Sequence, residues 1–233
     1  MRVGDLEGRF FVVAHRGASG YEPENTLRSV RRAVEMGADA VEVDVRVSRD
    51  GALVVIHDET VNRTTNGSGR VDELTLRELR SLDAGMGEKI PLLEEVVEAV
   101  KGEVVLVVEL KVPEAAEPSL KLVSEKGLLD STVLVSFKRE ALERVERLDP
   151  RAYTGLIHSH PVDPREAEEL GCDFILPKYT LVTEDYVSKA HKLGLLVVTW
   201  TVDDSSTAKL LKSKGVDGIA TNYPDRIIPL RTA

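Results

Sequence analysis

The sequence predicts an α/β barrel of eight parallel strands. Short runs of Val, Ile and Leu alternate with segments whose apolar residues recur at helical spacing, a pattern typical of repeated βα units. No Pro-, Gly- or Ser-rich linker interrupts this alternation, and 233 residues is a common length for such a barrel. We therefore expect a single domain over residues 1–233, with a flavodoxin-like winding as the alternative architecture.

Composition narrows the class of protein. A formal net charge of −9 disfavours a nucleic-acid or anionic-membrane surface, which indicates a small-molecule partner. The single cysteine, Cys172, excludes an intrachain disulfide framework. Residues 1–8 lack the apolar core of a signal peptide, and no apolar run approaches the length of a membrane helix. We expect a cytoplasmic protein without a stable membrane anchor, and the sequence leaves its oligomeric state open.

The first βα unit is predicted from a buried-strand run followed by a helical segment with signals at both of its ends. Residues 10–14 are typical of a buried strand that leads directly into His15. Asn25 stands where a helix N-cap is expected, apolar residues follow it at helical spacing, and Gly37 occupies the position of a C-terminal cap.

The second strand, residues 40–46, alternates valines with charged residues. Because successive side chains of a strand point to opposite faces, Glu42, Asp44 and Arg46 share the face that the valines leave. If that face lies inside a barrel, its unpaired carboxylates are costly unless a cation neutralises them. The same pattern also fits an antiparallel strand with one solvated face, so both interpretations stay open for this stretch alone.

An antiparallel hairpin follows, because residues 47–51 are too few for a parallel crossover. With residues 50–51 as a two-residue loop, Asp44 faces His57, and their Cβ atoms lie roughly 5 Å apart. A three-residue loop would shift this pairing. The predicted contact is therefore conditional on the loop length.

The remaining chain repeats the βα unit. Further strands are predicted at residues 104–111, 132–137, 152–157, 173–176, 195–201 and 218–221. Helices are predicted near residues 74–82, 92–100, 139–148, 164–170, 184–193 and 205–213. Without the return strand of the hairpin, the barrel strands number eight.

Polar and aromatic residues lie at or near the carboxyl ends of these strands, where barrel enzymes carry their sites. They are His15, Arg16, Glu42, Asp44, Glu109, Lys111, Phe137 and Trp200. Because Glu109 comes from a separate strand, its arrival at the same rim favours a metal site over a solvated strand face. A set of carboxylates without clustered His or Cys favours Mg²⁺, Ca²⁺ or Mn²⁺ over zinc.

These residues suit the cleavage of a phosphodiester. Such a substrate is an anion that repels nucleophiles, so catalysis needs charge neutralisation, a base and an acid. His15 and His57 are candidates for the acid and the base, and they are assigned jointly. Arg16 and Lys111 offer N–H donors to phosphate oxygens, although either could instead pair with the acids.

For two aromatic residues and three other histidines, the sequence gives weaker evidence of a functional role. Phe137 and Trp200 could pack on substrate carbons or form ordinary core. His158 and His160 lie in one loop that could bind an adventitious metal, and His191 lies on a predicted helix where we expect it to be solvated.

Seven short motifs occur in an order and at spacings that are specific as a set. They are His15-Arg16-Gly17, Pro23-Glu24-Asn25-Thr26, Glu42-Val43-Asp44-Val45, Asp50-Gly51, His57-Asp58, Glu109-Leu110-Lys111 and Trp200-Thr201-Val202. Together they resemble the motif series of the glycerophosphodiester phosphodiesterase family, over residues 11 to about 222. The sequence departs from the family pattern at two positions: Asp203 stands where members often have Asn, and Asn222 where they often have Asp.

The resemblance implies a TIM-type barrel that hydrolyses glycerophosphodiesters to an alcohol and sn-glycerol 3-phosphate with a divalent cation. A lysophospholipase D or phospholipase acting on lipids is an alternative, which the acidic sequence without an apolar or basic anchor disfavours. A non-catalytic phosphate-binding protein is a third hypothesis, disfavoured because every expected acid and histidine is present. The head group and the nucleophile, either water or the substrate's own glycerol hydroxyl, stay open.

Overall fold

The computed structural model describes residues 1–232, and these form a closed barrel of parallel strands. The strands are β1 (Phe11–His15), β2 (Ala40–Val47), β3 (Leu53–Val55), β4 (Val105–Leu110), β5 (Thr132–Ser136), β6 (Tyr153–His158), β7 (Phe174–Pro177), β8 (Leu196–Thr199) and β9 (Gly218–Thr221). They are hydrogen-bonded in the order β1-β9-β8-β7-β6-β5-β4-β2, and pairing of β1 with β2 closes the ring. Strand β3 pairs antiparallel with β2 outside the ring. The predicted barrel with an added hairpin strand is confirmed, and an open flavodoxin-like sheet is excluded.

Nine helices connect or follow the strands in this part of the chain. They are α1 (Leu27–Glu35), α2 (Leu76–Ser81), α3 (Leu93–Val100), α4 (Ala116–Glu125), α5 (Arg139–Leu148), α6 (Arg165–Glu169), α7 (Glu184–Lys192), α8 (Ser205–Ser213) and α9 (Pro224–Ile227). The sequence predicted seven of them, with small differences at the ends, and missed α4 and α9. Among residues 1–232, no helix is long and apolar enough to span a membrane.

The inner face of the barrel is apolar at its amino end and centre. Inward side chains from all eight strands pack together there, including Phe11, Val107 and Val133. Val3 and Leu6, from a 3₁₀ helix before β1, pack into the same cluster and close the amino end of the barrel. Polar inward side chains are therefore concentrated at the opposite, carboxyl end.

The outer face of β2 decides which way its acids point. Val41, Val43 and Val45 are fully buried in the layer between the barrel and the helices, together with residues such as Val30 of α1 and Val96 of α3. Full burial of one valine side chain stabilises the fold by about 1.5–3 kcal/mol. The three valines thus hold the alternate residues of β2 inside the barrel.

The hairpin has a different register from the predicted one. Val45 pairs with Val55, and the backbone N–H of Ile56 donates to the carbonyl oxygen of Asp44 (2.9 Å). Ile56 therefore lies opposite Asp44, and the prediction that His57 would do so was wrong.

A three-residue loop causes this shift. The backbone N–H of Ser48 donates to the carbonyl oxygen of Ala52 (2.9 Å), which leaves residues 49–51 as the loop. Ser48 Oγ accepts from the N–H of Ala52 (2.9 Å) and donates to Oδ1 of Asp50 (2.7 Å). Gly51 has a φ of +84°, the left-handed conformation that commonly ends such three-residue loops.

Replacing Gly17 by alanine is expected to destabilise the protein more than replacing Gly37. Both glycines have positive φ, +75° and +80°, so each alanine incurs the cost of the left-handed conformation, about 1–2 kcal/mol. At Gly17 the new Cβ would also lie 2.5 Å from the carbonyl carbon of Ser29, whereas at Gly37 nothing lies within 4 Å. This overlap adds about 1–3 kcal/mol. Urea unfolding of both variants measures the difference, and equal losses would contradict it.

Candidate active site

Strand register brings the predicted acids together at the carboxyl end of the barrel. Asp44 of β2 pairs with Glu109 of β4, and His15 of β1 pairs with Glu42 of β2. One carboxylate oxygen from each of the three acids lies within 4.8 Å of the other two. All three side chains are buried, so this oxygen cluster could hold a metal ion.

The three acids have very different proton affinities. Burial raises the pKa of Glu42 well above its usual range, and the charges of Asp44 and Glu109 raise it further. Burial and the charge of Asp44 raise the pKa of Glu109 to about 7, against the opposing effect of Lys111. Burial also acts to raise the pKa of Asp44, but Lys111 and Arg16 outweigh it and lower that pKa to about 2. Asp44 is therefore the constant negative charge of the cluster.

Asn25 contacts Asp44 instead of capping a helix. Its Nδ2 donates to Oδ2 of Asp44 (2.8 Å), and its Oδ1 accepts from the backbone N–H of Asp44 (3.1 Å). The N-cap of α1 is Thr26, whose side chain accepts from the N–H of Ser29. An amide side chain carries both a donor and an acceptor, so it matches both groups of Asp44 at once. The prediction that Asn25 caps the helix was wrong, and its contact with the acid had no local signal.

Both predicted cationic residues pair with the acids. Arg16 Nε lies 3.1 Å from Oδ2 of Asp44, and Arg16 Nη1 lies 2.9 Å from Oε1 of Glu24. Lys111 Nζ lies 2.6 Å from Oε1 of Glu109 and 3.4 Å from Oδ1 of Asp44. The ion-pair alternative considered from the sequence is thus what the structure contains, and it places both cations against the candidate metal ligands.

His57 is held by a network that the sequence did not predict. Its Nδ1 lies 2.7 Å from Oδ1 of Asp58. Arg63 donates two hydrogen bonds to Asp58 (2.7 and 2.9 Å) and two to Glu24 (both 2.8 Å). This arginine therefore joins the segment after the hairpin to the loop after β1, where Glu24 also meets Arg16.

Both histidines favour the neutral form. Burial lowers the pKa of His15, and the charge of Arg16 acts in the same direction. Burial also lowers the pKa of His57, although the charge of Asp44 acts to raise it. Contacts through Asp58, Arg63, Glu24 and Arg16 connect His57 to Asp44, despite the shifted register. Near neutral pH each imidazole is thus able to accept a proton.

A second hydrogen-bonded set surrounds His15. Its Nδ1 lies 2.8 Å from Oδ1 of Asn222, whose Nδ2 donates to Oδ2 of Asp203 (2.8 Å). The two positions at which the sequence departs from the family pattern are therefore in direct contact with each other, and one of them contacts His15.

Phe137 and Trp200 form an aromatic pair at the same rim. Their ring centroids lie 5.6 Å apart with an interplanar angle of 84°, and Lys111 Nζ lies 5.8 Å from the Phe137 centroid. Trp200 is anchored by its Nε1, which donates to the carbonyl oxygen of Leu176 (2.8 Å). Phe137 remains 39% exposed, so it is more accessible than a core residue.

The other histidines lie outside this set. His158 is buried and makes two hydrogen-bonding contacts, with the carbonyl oxygen of His160 (2.8 Å) and the hydroxyl of Tyr186 (2.7 Å). His191 pairs with Asp217 on the surface. Within residues 1–232, the three acids of the barrel mouth are the only group of three or more side chains arranged to hold a metal.

Comparison with known proteins agrees with this geometry. Residues 15–226 match the profile of the glycerophosphoryl diester phosphodiesterase family. The chain belongs to this family. The matched range begins at His15 and includes every residue of the candidate site described above.

Other proteins are similar to this glycerophosphoryl diester phosphodiesterase family member in both sequence and fold. The chain is 38% identical to the glycerophosphodiester phosphodiesterase of Caldanaerobacter subterraneus subsp. tengcongensis, over 94% of this chain and 96% of that protein. It superposes with a TM-score of 0.91 on a phosphodiesterase of Oleispira antarctica in complex with the product sn-glycerol-3-phosphate, at 32% identity over 96% and 97% of the chains. A glycerophosphodiester phosphodiesterase of Parabacteroides distasonis gives a TM-score of 0.87 at 30% identity, over 96% and 97%.

Asn25→Asp is expected to destabilise the metal-free protein by about 2–4 kcal/mol, because a buried oxygen replaces the N–H that donates to Asp44. Asn62 is a matched control, since it is exposed and its Oδ1 accepts from the N–H of Gly69 (3.0 Å), which a carboxylate also does. Asn62→Asp should change the free energy of unfolding by less than about 0.5 kcal/mol. Urea unfolding with EDTA present measures both, and similar effects would contradict a specific role of the Asn25 amide.

Proposed function

We propose that this protein hydrolyses glycerophosphodiesters to an alcohol and sn-glycerol 3-phosphate, using a divalent cation and a pair of histidines. The observation that carries the proposal is the gathering of three carboxylates and two imidazoles at one barrel mouth. Membership of the glycerophosphoryl diester phosphodiesterase family supports the substrate class. The Oleispira antarctica relative, whose structure is a complex with the product sn-glycerol-3-phosphate, supports the product.

Glu42, Asp44 and Glu109 fit a hard divalent cation. Every ligand atom they offer is an oxygen, which suits Mg²⁺, Ca²⁺ or Mn²⁺. Oδ1 of Asp44 is buried and makes no hydrogen bond among residues 1–232, and its one ion-pair contact, with Lys111 Nζ, is 3.4 Å long, so this oxygen could still coordinate a cation. A bound cation would neutralise charge on the phosphodiester and polarise its P–O bonds.

His15 and His57 share the roles of general base and general acid. Each has its Nδ1 occupied by a hydrogen-bond partner, Asn222 for one and Asp58 for the other. Each ring therefore keeps Nε2 available for proton transfer with the attacking hydroxyl or the leaving oxygen. We assign the two roles to the pair together.

Four further residues would bind and orient the substrate. Arg16 and Lys111 place positive charge beside the acid cluster, where a phosphate group can accept hydrogen bonds from them. The Phe137–Trp200 pair offers an apolar surface for the glycerol carbons beside Lys111. This arrangement separates a charged half of the site from an apolar half.

His15→Gln and His57→Gln should each lower kcat by about 10²–10⁴-fold on glycerophosphocholine, because each removes a proton-transfer group. ³¹P NMR identifies the products, and circular dichroism verifies that both variants fold. His191→Gln is the matched control, since His191 is exposed on the outer helix α7 and pairs with Asp217, so full activity is expected. Full activity of either His15→Gln or His57→Gln would contradict the proposed chemistry.

Affinity for Mg²⁺ or Ca²⁺ should increase with pH between pH 6 and 8. Glu109, whose pKa is about 7 without metal, must lose its proton before it can coordinate. Below pH 7 this one group lowers the affinity about tenfold per pH unit, and above pH 7 its contribution levels off. Isothermal titration calorimetry in two buffers of different ionisation enthalpy measures both the affinity and the proton release.

Two variants make the metal measurement specific. Glu109→Gln should weaken binding at pH 8 and remove its share of the proton release. Glu103→Gln, an exposed position, should leave affinity and proton release unchanged. An affinity that is independent of pH in the unsubstituted protein would argue against coordination by Glu109.

A further inference from the structure

Asp203 and Asn222 are hydrogen-bonded to each other, and Asn222 contacts His15. Asp203 follows β8 and Asn222 follows β9, so neighbouring strand ends bring them together. Oδ1 of Asp203 accepts from the backbone N–H of Asn222 (2.8 Å) and from Oγ1 of Thr221 (3.0 Å). Oδ2 of Asp203 accepts from Nδ2 of Asn222 (2.8 Å). In all three of these hydrogen bonds the Asp203 carboxylate is the acceptor.

These contacts orient the Asn222 amide. A carboxylate offers acceptors only, so the NH₂ group of Asn222 must turn towards Asp203. Its carbonyl oxygen then faces Nδ1 of His15 at 2.8 Å. Oγ of Ser19 lies 2.8 Å from this oxygen and 2.7 Å from the carbonyl oxygen of His15, so these two acceptors share its one proton.

We propose that Asp203 and Asn222 are positioning residues that set the tautomer of His15. Because Oδ1 of Asn222 can only accept, the proton of the neutral ring must lie on Nδ1, and Nε2 is left with a free lone pair. Asp203 does not touch the reacting atoms. It acts on His15 by holding the amide of Asn222 in one of its two orientations. The catalytic meaning of this tautomer rests on the proposed role of His15.

Asp203→Asn should reverse the tautomer. The backbone N–H of Asn222 and the hydroxyl of Thr221 keep an oxygen at the Oδ1 position, so the new NH₂ group takes the Oδ2 position. The Asn222 amide must then rotate to offer its oxygen to that NH₂ group. This rotation turns Nδ2 of Asn222 towards His15, and the ring proton moves to Nε2.

The reciprocal double variant should restore the original tautomer. In Asp203→Asn/Asn222→Asp, the new carboxylate accepts from the amide at position 203 with one oxygen and from Nδ1 of His15 with the other. A role confined to packing predicts no such recovery. Asp185→Asn, an exposed change of the same kind on α7, is the control and should alter neither tautomer nor activity.

The test combines ¹⁵N NMR of the histidine rings with steady-state kinetics on glycerophosphocholine. In the metal-free protein, with resonances assigned through His15→Gln, we expect the proton of neutral His15 on Nδ1, on Nε2 in Asp203→Asn, and again on Nδ1 in the double variant. We expect kcat to fall about 100-fold in Asp203→Asn, with KM changed less than about threefold, and to recover at least tenfold in the double variant.

A His15 proton that stays on Nδ1 in Asp203→Asn would overturn the proposal, as would an unsubstituted protein with the proton on Nε2. The NMR measurement requires no turnover, so it tests the tautomer of His15 independently of the proposed phosphodiesterase function. An unsubstituted protein that lacks activity on glycerophosphodiesters but shows the expected tautomers would refute the proposed function alone.

Discussion

Three carboxylates buried at one end of a barrel are the constraint on which the rest of the site depends. Charges removed from water are costly unless partners compensate them, and Arg16, Lys111 and Asn25 provide that compensation. The loop after β1 adopts unusual backbone angles to deliver two of these partners, since φ is +56° at Arg16 and +58° at Asn25. Local strain of this kind persists where the surrounding contacts determine it.

Much of this arrangement could be predicted from the sequence, because simple periodicities determine it. The valines of β2 indicate which residues face inward. Their burial against the helices is strongly favourable, and because side chains alternate along a strand, the residues between them lie on the inner face. The βα alternation and the chain length together indicated eight barrel strands. Polar and aromatic residues at strand ends then identified the acids, His15 and the Phe137–Trp200 pair, because all of them continue inward-facing rows.

The remaining features depend on contacts that leave no local pattern. Both two- and three-residue loops fit the hairpin, and hydrogen bonds of one serine side chain, Ser48, accompany the longer one. Asn25 has the chemistry of a helix cap and of a carboxylate partner alike, so only the fold distinguishes them. Asn222 reaches His15 across 207 positions of the chain. Helix α4 carries Pro118 in its first turn, which is tolerated there but obscures the helical pattern.

The 3₁₀ helix before β1 has a consequence for how small molecules exchange with the barrel. Val3 and Leu6 fill the amino end with hydrocarbon, so polar compounds gain nothing by passing through it. Substrate therefore enters, and both products leave, through the carboxyl end of the barrel. A product that dissociates slowly would block this opening and delay the binding of the next substrate molecule.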